Sequence, residues 1–370
     1  MTAKPPPSRS QDPAPGAQRF RVALVMIVRN ESHQLGRALA SALPWVDEAL
    51  VLDTGSTDDT VALARAAGAR VAHFQWTHDF AAARNAALAL AGADWHLVLD
   101  ADEWIAEGGP ALASLREFAP TFVGALRVDS HQGEGAQAST APSWLSRVLP
   151  GHVRYAGRIH EQPQHRLNVQ RLPVTVGHSG YAPAALAAKA GRNARLLLAA
   201  LREQPADAYL WYQLGKDHDV YERYADAVAA FDRAEALTLS ASRGRPAWLH
   251  DLVIRRMHAW KRCGRHAQAL QWAEQALVAW AESPDFFFAL GDLLLDWAAD
   301  EPHRAEHLLP MIEQAWRRCL HLGERPELEG AVAGRGSVLA ANNLALLYDL
   351  MDRPAEAASC RALAEADHTG

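Results

Sequence analysis

Three acidic side chains fall within four residues at Asp100, Asp102 and Glu103, directly after the apolar run His96-Leu97-Val98-Leu99. Carboxylates packed this closely repel one another. A divalent cation carrying a phosphate group would neutralise such a cluster, because Mg2+ and Mn2+ prefer hard oxygen donors. The alternative is a solvated acidic turn. Two further polar clusters follow apolar runs in the same way: Asn30-Glu31 after the run from Phe20 to Val28, and Asp53-Thr54 after Ala49-Leu50-Val51-Leu52. Carboxylate and imidazole groups recur at His160-Glu161 and at His178.

For these clusters to meet, the apolar runs must be neighbouring strands of one sheet. Near-continuous apolar runs are the mark of strands buried on both faces, as in a parallel sheet. The segments between them read as helices. Leu35, Leu39 and Leu43 recur at intervals of four and stop at Pro44; Ser56 and Asp59 have capping-box spacing; Asp79 is placed to cap an alanine-rich helix that ends at Gly92. A third strand is expected from Arg70 to Phe74. Alternating strands and helices predict a parallel sheet with right-handed crossovers, and ligands on such sheets collect at the carboxyl ends of strands. The three polar clusters then face one crevice. No G-x-G-x-x-G follows the first strand, so a nicotinamide-binding half is not indicated.

Beyond the acidic cluster, a strand is expected from Phe122 to Val128, followed by a lid-like loop at Gly133-Glu134-Gly135. The segments from Trp144 to Leu149 and from Val153 to Ile159 read as a hairpin or edge pair around Pro150-Gly151, and Leu172 to Val176 as one more strand. Past Pro183 the strand signal disappears. Tyr209-Leu210-Trp211-Tyr212-Gln213-Leu214-Gly215 and Tyr224-Ala225-Asp226-Ala227 stand at the relative places of a tetratricopeptide-type helix pair, whose small residues let two helices approach closely. Weaker echoes run from Trp248 to Leu277, around Phe286 to Gly291, and from Asn342 to Ala357; Met257, Trp260, Trp272 and Trp280 read as packing residues.

Composition limits the classes of function. With 370 residues, 49% hydrophobic and 22% charged, the chain has room for two well-packed globular domains. A formal charge of -6 with no basic block argues against nucleic acid as a partner. Cys263, Cys319 and Cys360 are far apart and imply neither a disulfide framework nor a zinc site, which suits a reducing cytoplasm. No apolar run approaches the roughly 18 residues that a transmembrane segment needs. Residues 1–18 are rich in Pro and polar residues and read as a disordered tail.

Taken in order, Met26-Ile27-Val28-Arg29-Asn30-Glu31, Val51 to Asp58, Asp79-Phe80 with Arg84-Asn85, Leu97 to Glu103, and Ile159-His160-Glu161-Gln162 resemble the family 2 glycosyltransferases of GT-A fold. Within that family the chain looks most like the bacterial branch joined to C-terminal tetratricopeptide-like repeats. The resemblance implies an α/β, Rossmann-like and mostly parallel GT-A domain over residues 19–183 and an all-α helical-repeat domain over residues 184–370. It implies a nucleotide-sugar donor, most often a UDP-sugar, contacted by Asn30, Glu31, Asp53, Thr54, Arg84, Asn85 and Asp100. Mn2+ or Mg2+ would be held by Asp102 with Asp100, and by His178 as a third ligand. Glu161 is the candidate base for an inverting transfer and Glu103 the runner-up, while Arg147 is a candidate phosphate contact. The acceptor would be a glycan, peptide or protein, and the repeats could hold a protein partner or mediate self-association. Without the Gln-x-x-Arg-Trp motif of processive synthases, transfer of one or a few sugars is expected. The rival from another class is a non-catalytic helical-repeat adaptor. A haloacid dehalogenase-type phosphatase fits less well, since its D-x-D normally opens the domain and three strand units precede it here.

Overall fold

The computed structural model describes residues 19–132, 139–179, 191–241 and 244–367. The Pro-rich tail, the Gly133-Glu134-Gly135 loop and the expected boundary at 183/184 lie outside them. The chain divides into two compact units. One contains the residues up to Val128 with Trp144–Ala156 and Gln162–His178; the other contains Asp129–Ser143, Gly157–Glu161 and the chain from Ser179 onward.

The first unit is built on an eight-stranded sheet of order β3-β2-β1-β4-β7-β6-β10-β5. Strands β1 (Val22–Val28), β2 (Glu48–Asp53), β3 (Arg70–His73) and β4 (Trp95–Val98) are its parallel half. Helices α1 (Leu35–Ala42), α2 (Thr60–Ala66) and α3 (Phe80–Ala91) make the crossovers. After β3 the chain returns to the other side of β1, so the strand order reverses between β1 and β4. On open sheets such a reversal is where ligands gather, outside the carboxyl ends of the two strands. The other half comprises β5 (Glu103–Glu107), β6 (Phe122–Gln132), β7 (Ser139–Pro150) and β10 (Asn168–His178), with antiparallel pairing of β7 to β4 and of β10 to β5. Helix α4 (Gly109–Ser114) packs on β10. This is the Rossmann-like GT-A arrangement.

The sheet separates two cores. Leu24, Met26, Val51, Leu97 and Leu99 point to the side of α1, with Leu35 and Leu39; Ala23, Val25, Leu50 and Leu52 point to the side of α3, with Ala87 and Leu88. This alternation along β1 and β2 explains why both strands are apolar throughout. The expected hairpin around Pro150-Gly151 is not formed. The segment up to Pro150 lies inside the large sheet as β7, while β8 (Arg154–Ala156) pairs with β9 (Gln162–Gln164) in a separate two-stranded ribbon.

The second unit continues, in the described residues, as α5 (Arg192–Glu203), α6 (Ala208–Val220), α7 (Tyr224–Ser240), α8 (Leu249–Arg262), α9 (His266–Ala276), α10 (Pro284–Asp300), α11 (Ala305–Leu322), α12 (Val338–Leu350) and α13 (Pro354–Asp367). These pack as successive antiparallel pairs, and the turns inside three pairs use a left-handed residue: Glu222 (φ 58°), Gly264 (φ 66°) and Asp352 (φ 55°). A Cβ on Gly215 of α6 would lie 2.4 Å from the Phe231 ring of α7, and one on Gly291 of α10 would lie 2.5 Å from the Trp316 indole of α11. Close helix approach therefore depends on these glycines. The all-α tetratricopeptide-like repeat expected from the sequence is present, with Met257 and Trp260 in its core.

Candidate active site

The crevice between β1 and β4 is shaped by two loops tied together by hydrogen bonds. Asn30, directly after β1, adopts a left-handed conformation (φ 57°), which asparagine tolerates better than most residues. Its N–H donates to Ser56 Oγ (2.9 Å) and its Oδ1 accepts from the Thr57 N–H (2.7 Å). The Glu31 N–H donates to Thr60 Oγ1 (2.7 Å), and the Ser32 N–H to Asp58 Oδ2 (3.2 Å). The capping box expected from Ser56 and Asp59 is not made. Asp58 takes that place, accepting from the Thr60 N–H and Oγ1, while Asp59 at the N-cap makes no side-chain cap.

Asp53, at the end of β2, is 4% exposed. Its carboxylate accepts from the Gly55 N–H (3.2 Å) and the Ser56 N–H (3.1 Å), with His73 Nδ1 at 3.3 Å. Burial raises the Asp53 pKa, but the bonds from Ser56 and Gly55 outweigh it and hold the carboxyl below its usual range. Thr54 is tied to β1 through its N–H and Oγ1, both donating to the Val28 carbonyl.

On the β4 side, Asp100 is clamped by two arginines. Arg84 Nη2 donates to Oδ1 (2.7 Å) and Arg147 Nη2 to Oδ2 (3.1 Å). Arg147 also pairs with Glu103, whose Oε2 accepts from the Asp100 N–H (3.0 Å). Asp100 remains 37% exposed at the rim, while the side chains of Arg84, Arg147 and Glu103 are 9%, 11% and 3% exposed. Against the penalty of burial, the two guanidinium groups drive the Asp100 carboxyl far below its usual range. For Glu103, burial dominates and raises the pKa despite Arg147. Glu103, expected as the alternative base, is buried and paired with Arg147 and the Asp100 N–H, where it supports the acidic turn.

Asp102 faces a different partner. Its Oδ2 lies 3.5 Å from His178 Nε2, at the point where β10 pairs with β5. Gly177 fixes that approach, since a Cβ there would fall 2.2 Å from the Trp104 ring. Burial lowers the His178 pKa, but Asp102 raises it more, with Glu103 and Asp100 adding to the effect. The pair offers one oxygen and one imidazole donor to a cation. Among the described residues, no group of three or more His, Cys, Asp or Glu side chains is arranged to hold a metal ion, and Asp100, expected as a ligand with Asp102 and His178, is paired with Arg84 and Arg147. The donors present thus fit two positions of a coordination shell, the rest of which a diphosphate and water would fill.

Asn85, expected beside the nucleotide as a support for Arg84, clamps the β8 backbone through its amide, donating to the Tyr155 carbonyl (2.9 Å) and accepting from the Tyr155 N–H (2.8 Å). Tyr155 in turn sets its ring 5.5 Å from the Arg84 guanidinium, so Asn85 buttresses Arg84 from behind. Asp79 caps α3 as expected, accepting from the Ala82 N–H. Glu161 belongs to the second unit, where it is half-buried after His160, which has a left-handed φ of 51°. Burial, helped by Lys216, pushes the His160 pKa down to about 4. Arg158 pairs with Glu203 (2.8 Å). Arg147 is the residue whose weight the sequence understated. It stands 44 positions from Glu103 in the chain and shows its role only once β7 enters the sheet beside β4.

Residues 23–143 match the family described as Glycosyl transferase family 2. The chain is 40% identical over 219 residues to a TPR repeat-containing protein of Synechococcus elongatus, covering 54% of this chain and 53% of that one. It is 26% identical over 212 residues to the SPbeta prophage-derived glycosyltransferase SunS of Bacillus subtilis, covering 55% and 50%. The chain thus spans about half the length of these curated relatives. Among solved structures, a crystal structure of MamA covers 51% of this chain and 95% of its own at 12% identity and a TM-score of 0.37, a similarity too weak to carry an assignment.

Proposed function

We propose that this chain, whose N-terminal unit is a family 2 glycosyltransferase domain joined to tetratricopeptide-like repeats, transfers a sugar from a nucleotide-sugar donor to an acceptor. The observation that carries the reading is the coincidence of the family match over residues 23–143 with the strands that bring Asn30, Asp53, Asp100 and Asp102 to one switch-point crevice. A UDP-sugar is the donor class that the family resemblance favours.

In this reading the two tied loops at Asn30-Glu31 and Asp53-Thr54 form the nucleoside side of the crevice. Asp53 Oδ1 keeps acceptor capacity beyond its bond from Ser56, which suits the N–H of a uracil ring. Arg84 and Arg147 bring fixed positive charge to the rim and hold Asp100 and the backbone of the acidic turn in one geometry. Asp102 and His178 would hold the divalent cation, and the imidazole in the set favours Mn2+ over Mg2+, which keeps more strictly to oxygen donors. Such a cation, once bound, supplies Lewis-acid stabilisation of the leaving diphosphate.

The transfer is a single displacement. The acceptor heteroatom forms a bond to the anomeric carbon as the bond to the diphosphate oxygen breaks, and the acceptor proton passes to a carboxylate. Glu161 is the proposed base, on the strength of its His-Glu motif, because Glu103 is buried and paired. This course inverts the anomeric centre.

The test is release of nucleoside diphosphate from UDP-glucose and UDP-N-acetylglucosamine, with and without Mn2+, by the wild type, Asp102→Ala and Glu161→Gln. Metal-dependent turnover in the wild type that falls at least about 100-fold in both variants, the order expected for general acid–base groups, supports the reading. No binding of any nucleotide sugar to the wild type, or unchanged turnover in Asp102→Ala, overturns it in favour of an adaptor.

A further inference from the structure

Between α7, α8 and α9 of the helical unit lies a groove of about 480 Å³ that the transfer chemistry does not use. Arg256 and Trp260 of α8 border it. Arg256 is 2% exposed; its Nη1 donates to Asp232 Oδ1 (3.1 Å) and Glu235 Oε2 (2.7 Å) on α7. Its guanidinium lies 4.6 Å from the Trp260 ring centre and 4.3 Å from that of Trp272 on α9. Arg256 Nε and Nη2 and Trp260 Nε1 are buried and have no hydrogen-bond partner in the protein. These N–H groups are closed off from the groove by the two indole rings, which meet the guanidinium through cation–π contact and fix the wall behind it. Along the opposite wall Gln268, Gln271 and Gln275 recur at intervals of three and four, which places their exposed amides on one face of α9.

We propose that this groove binds a neutral saccharide. Each sugar hydroxyl both donates and accepts, and the walls supply both: the glutamine amides do each, and Asp232 and Glu235 accept. The carbon face of a pyranose ring suits an indole wall. Two carboxylates against one arginine disfavour a phosphate or another anion. A peptide anchored by an apolar side chain needs a closed apolar socket, whereas the apolar members here, Ala236 and Leu239, are exposed, Leu239 to 65%. The site belongs wholly to the helical unit, so it stands whether or not the N-terminal unit transfers sugar.

The test uses the full chain with cellobiose, maltose, lactose and N,N′-diacetylchitobiose, read by saturation-transfer NMR on the sugar and by tryptophan fluorescence. At least one disaccharide is expected to bind with a Kd on the order of 1 mM or tighter. The double substitution Gln271→Ala with Gln275→Ala, at exposed positions, should weaken it at least about tenfold with an unchanged melting curve. Asp102→Ala should leave it unchanged, which separates failure of this site from failure of the transfer reading. No disaccharide binding, binding indifferent to the glutamine pair, or penta-alanine shifting the same tryptophans while sugars do not would overturn the proposal.

Discussion

Arg147→Met isolates the electrostatic frame of the acidic turn. In the wild type Arg147 satisfies two carboxylates, but they do not depend on it equally. Asp100 keeps Arg84 at 2.7 Å and is 37% exposed, so solvent screens much of its loss. Glu103 is 3% exposed, and among the described residues its hydrogen-bond partners besides Arg147 come down to the Asp100 N–H. Breaking a buried pair by removing one partner costs about 3–5 kcal/mol. The lower end applies here, because the raised pKa of Glu103 already favours its escape by protonation. A loss of about 3 kcal/mol is therefore expected at neutral pH. Adding Glu103→Gln removes the orphaned charge while keeping an acceptor for the Asp100 N–H, and the loss should shrink to about 1 kcal/mol. Native-state hydrogen exchange at the amides of Leu97 and Ile105 reads the stability of this unit without assuming that the whole chain unfolds in one step. If Arg147→Met changes the opening free energy by less than about 0.5 kcal/mol, or if the double variant is no more stable than the single, the reasoning fails.

Two further predictions concern the frame of each unit. His96 in β4 is fully buried, accepts from the Ala93 N–H (3.3 Å), and has its pKa pushed down to about 4 by burial and by Arg154. The unfolded chain takes up this proton near pH 6.5 and the folded chain only near 4, so stability falls as pH drops through that window. At about 1.4 kcal/mol per unit the loss approaches about 3 kcal/mol. Urea titrations from pH 7 to 4 should show this slope flattened in His96→Leu, and a parallel slope in that variant would contradict it. Gly215→Ala should cost about 1–3 kcal/mol, because its methyl group meets the Phe231 ring at 2.4 Å and must push α6 from α7. Calorimetry showing no downward shift of the helical unit's transition would count against that account.

The parallel half of the sheet was legible because a strand buried on both faces needs apolar residues at consecutive positions, as in Val22–Val28 and Trp95–Val98. The helical pairs were legible through Gly215 and Gly291, small residues at places where two helices must approach closely. Asp79 was legible since capping is local. The clamp on Asp100 was not, because Arg84 and Arg147 reach it across 16 and 47 residues of chain and only the sheet order brings them there. The Ser56–Asp59 capping box misled because its groups are engaged elsewhere: the Ser56 N–H donates to Asp53 and Ser56 Oγ accepts from the Asn30 N–H, while Asp58 accepts from the Thr60 N–H. The place of β7 was hidden because Pro150-Gly151 looks like a hairpin turn, yet the Gly151 N–H donates to the Asp94 carbonyl (2.7 Å) and ties the turn to β4.

The claim on which the functional account rests is that Asp102, beside His178 at the rim of the sheet, grips a divalent cation together with a nucleoside diphosphate. Electron paramagnetic resonance titration of Mn2+ in the presence of UDP tests it directly. The account predicts stoichiometric Mn2+ binding that needs UDP and weakens at least about tenfold in Asp102→Ala. Equal Mn2+ affinity in the two proteins, or binding indifferent to UDP, would contradict it.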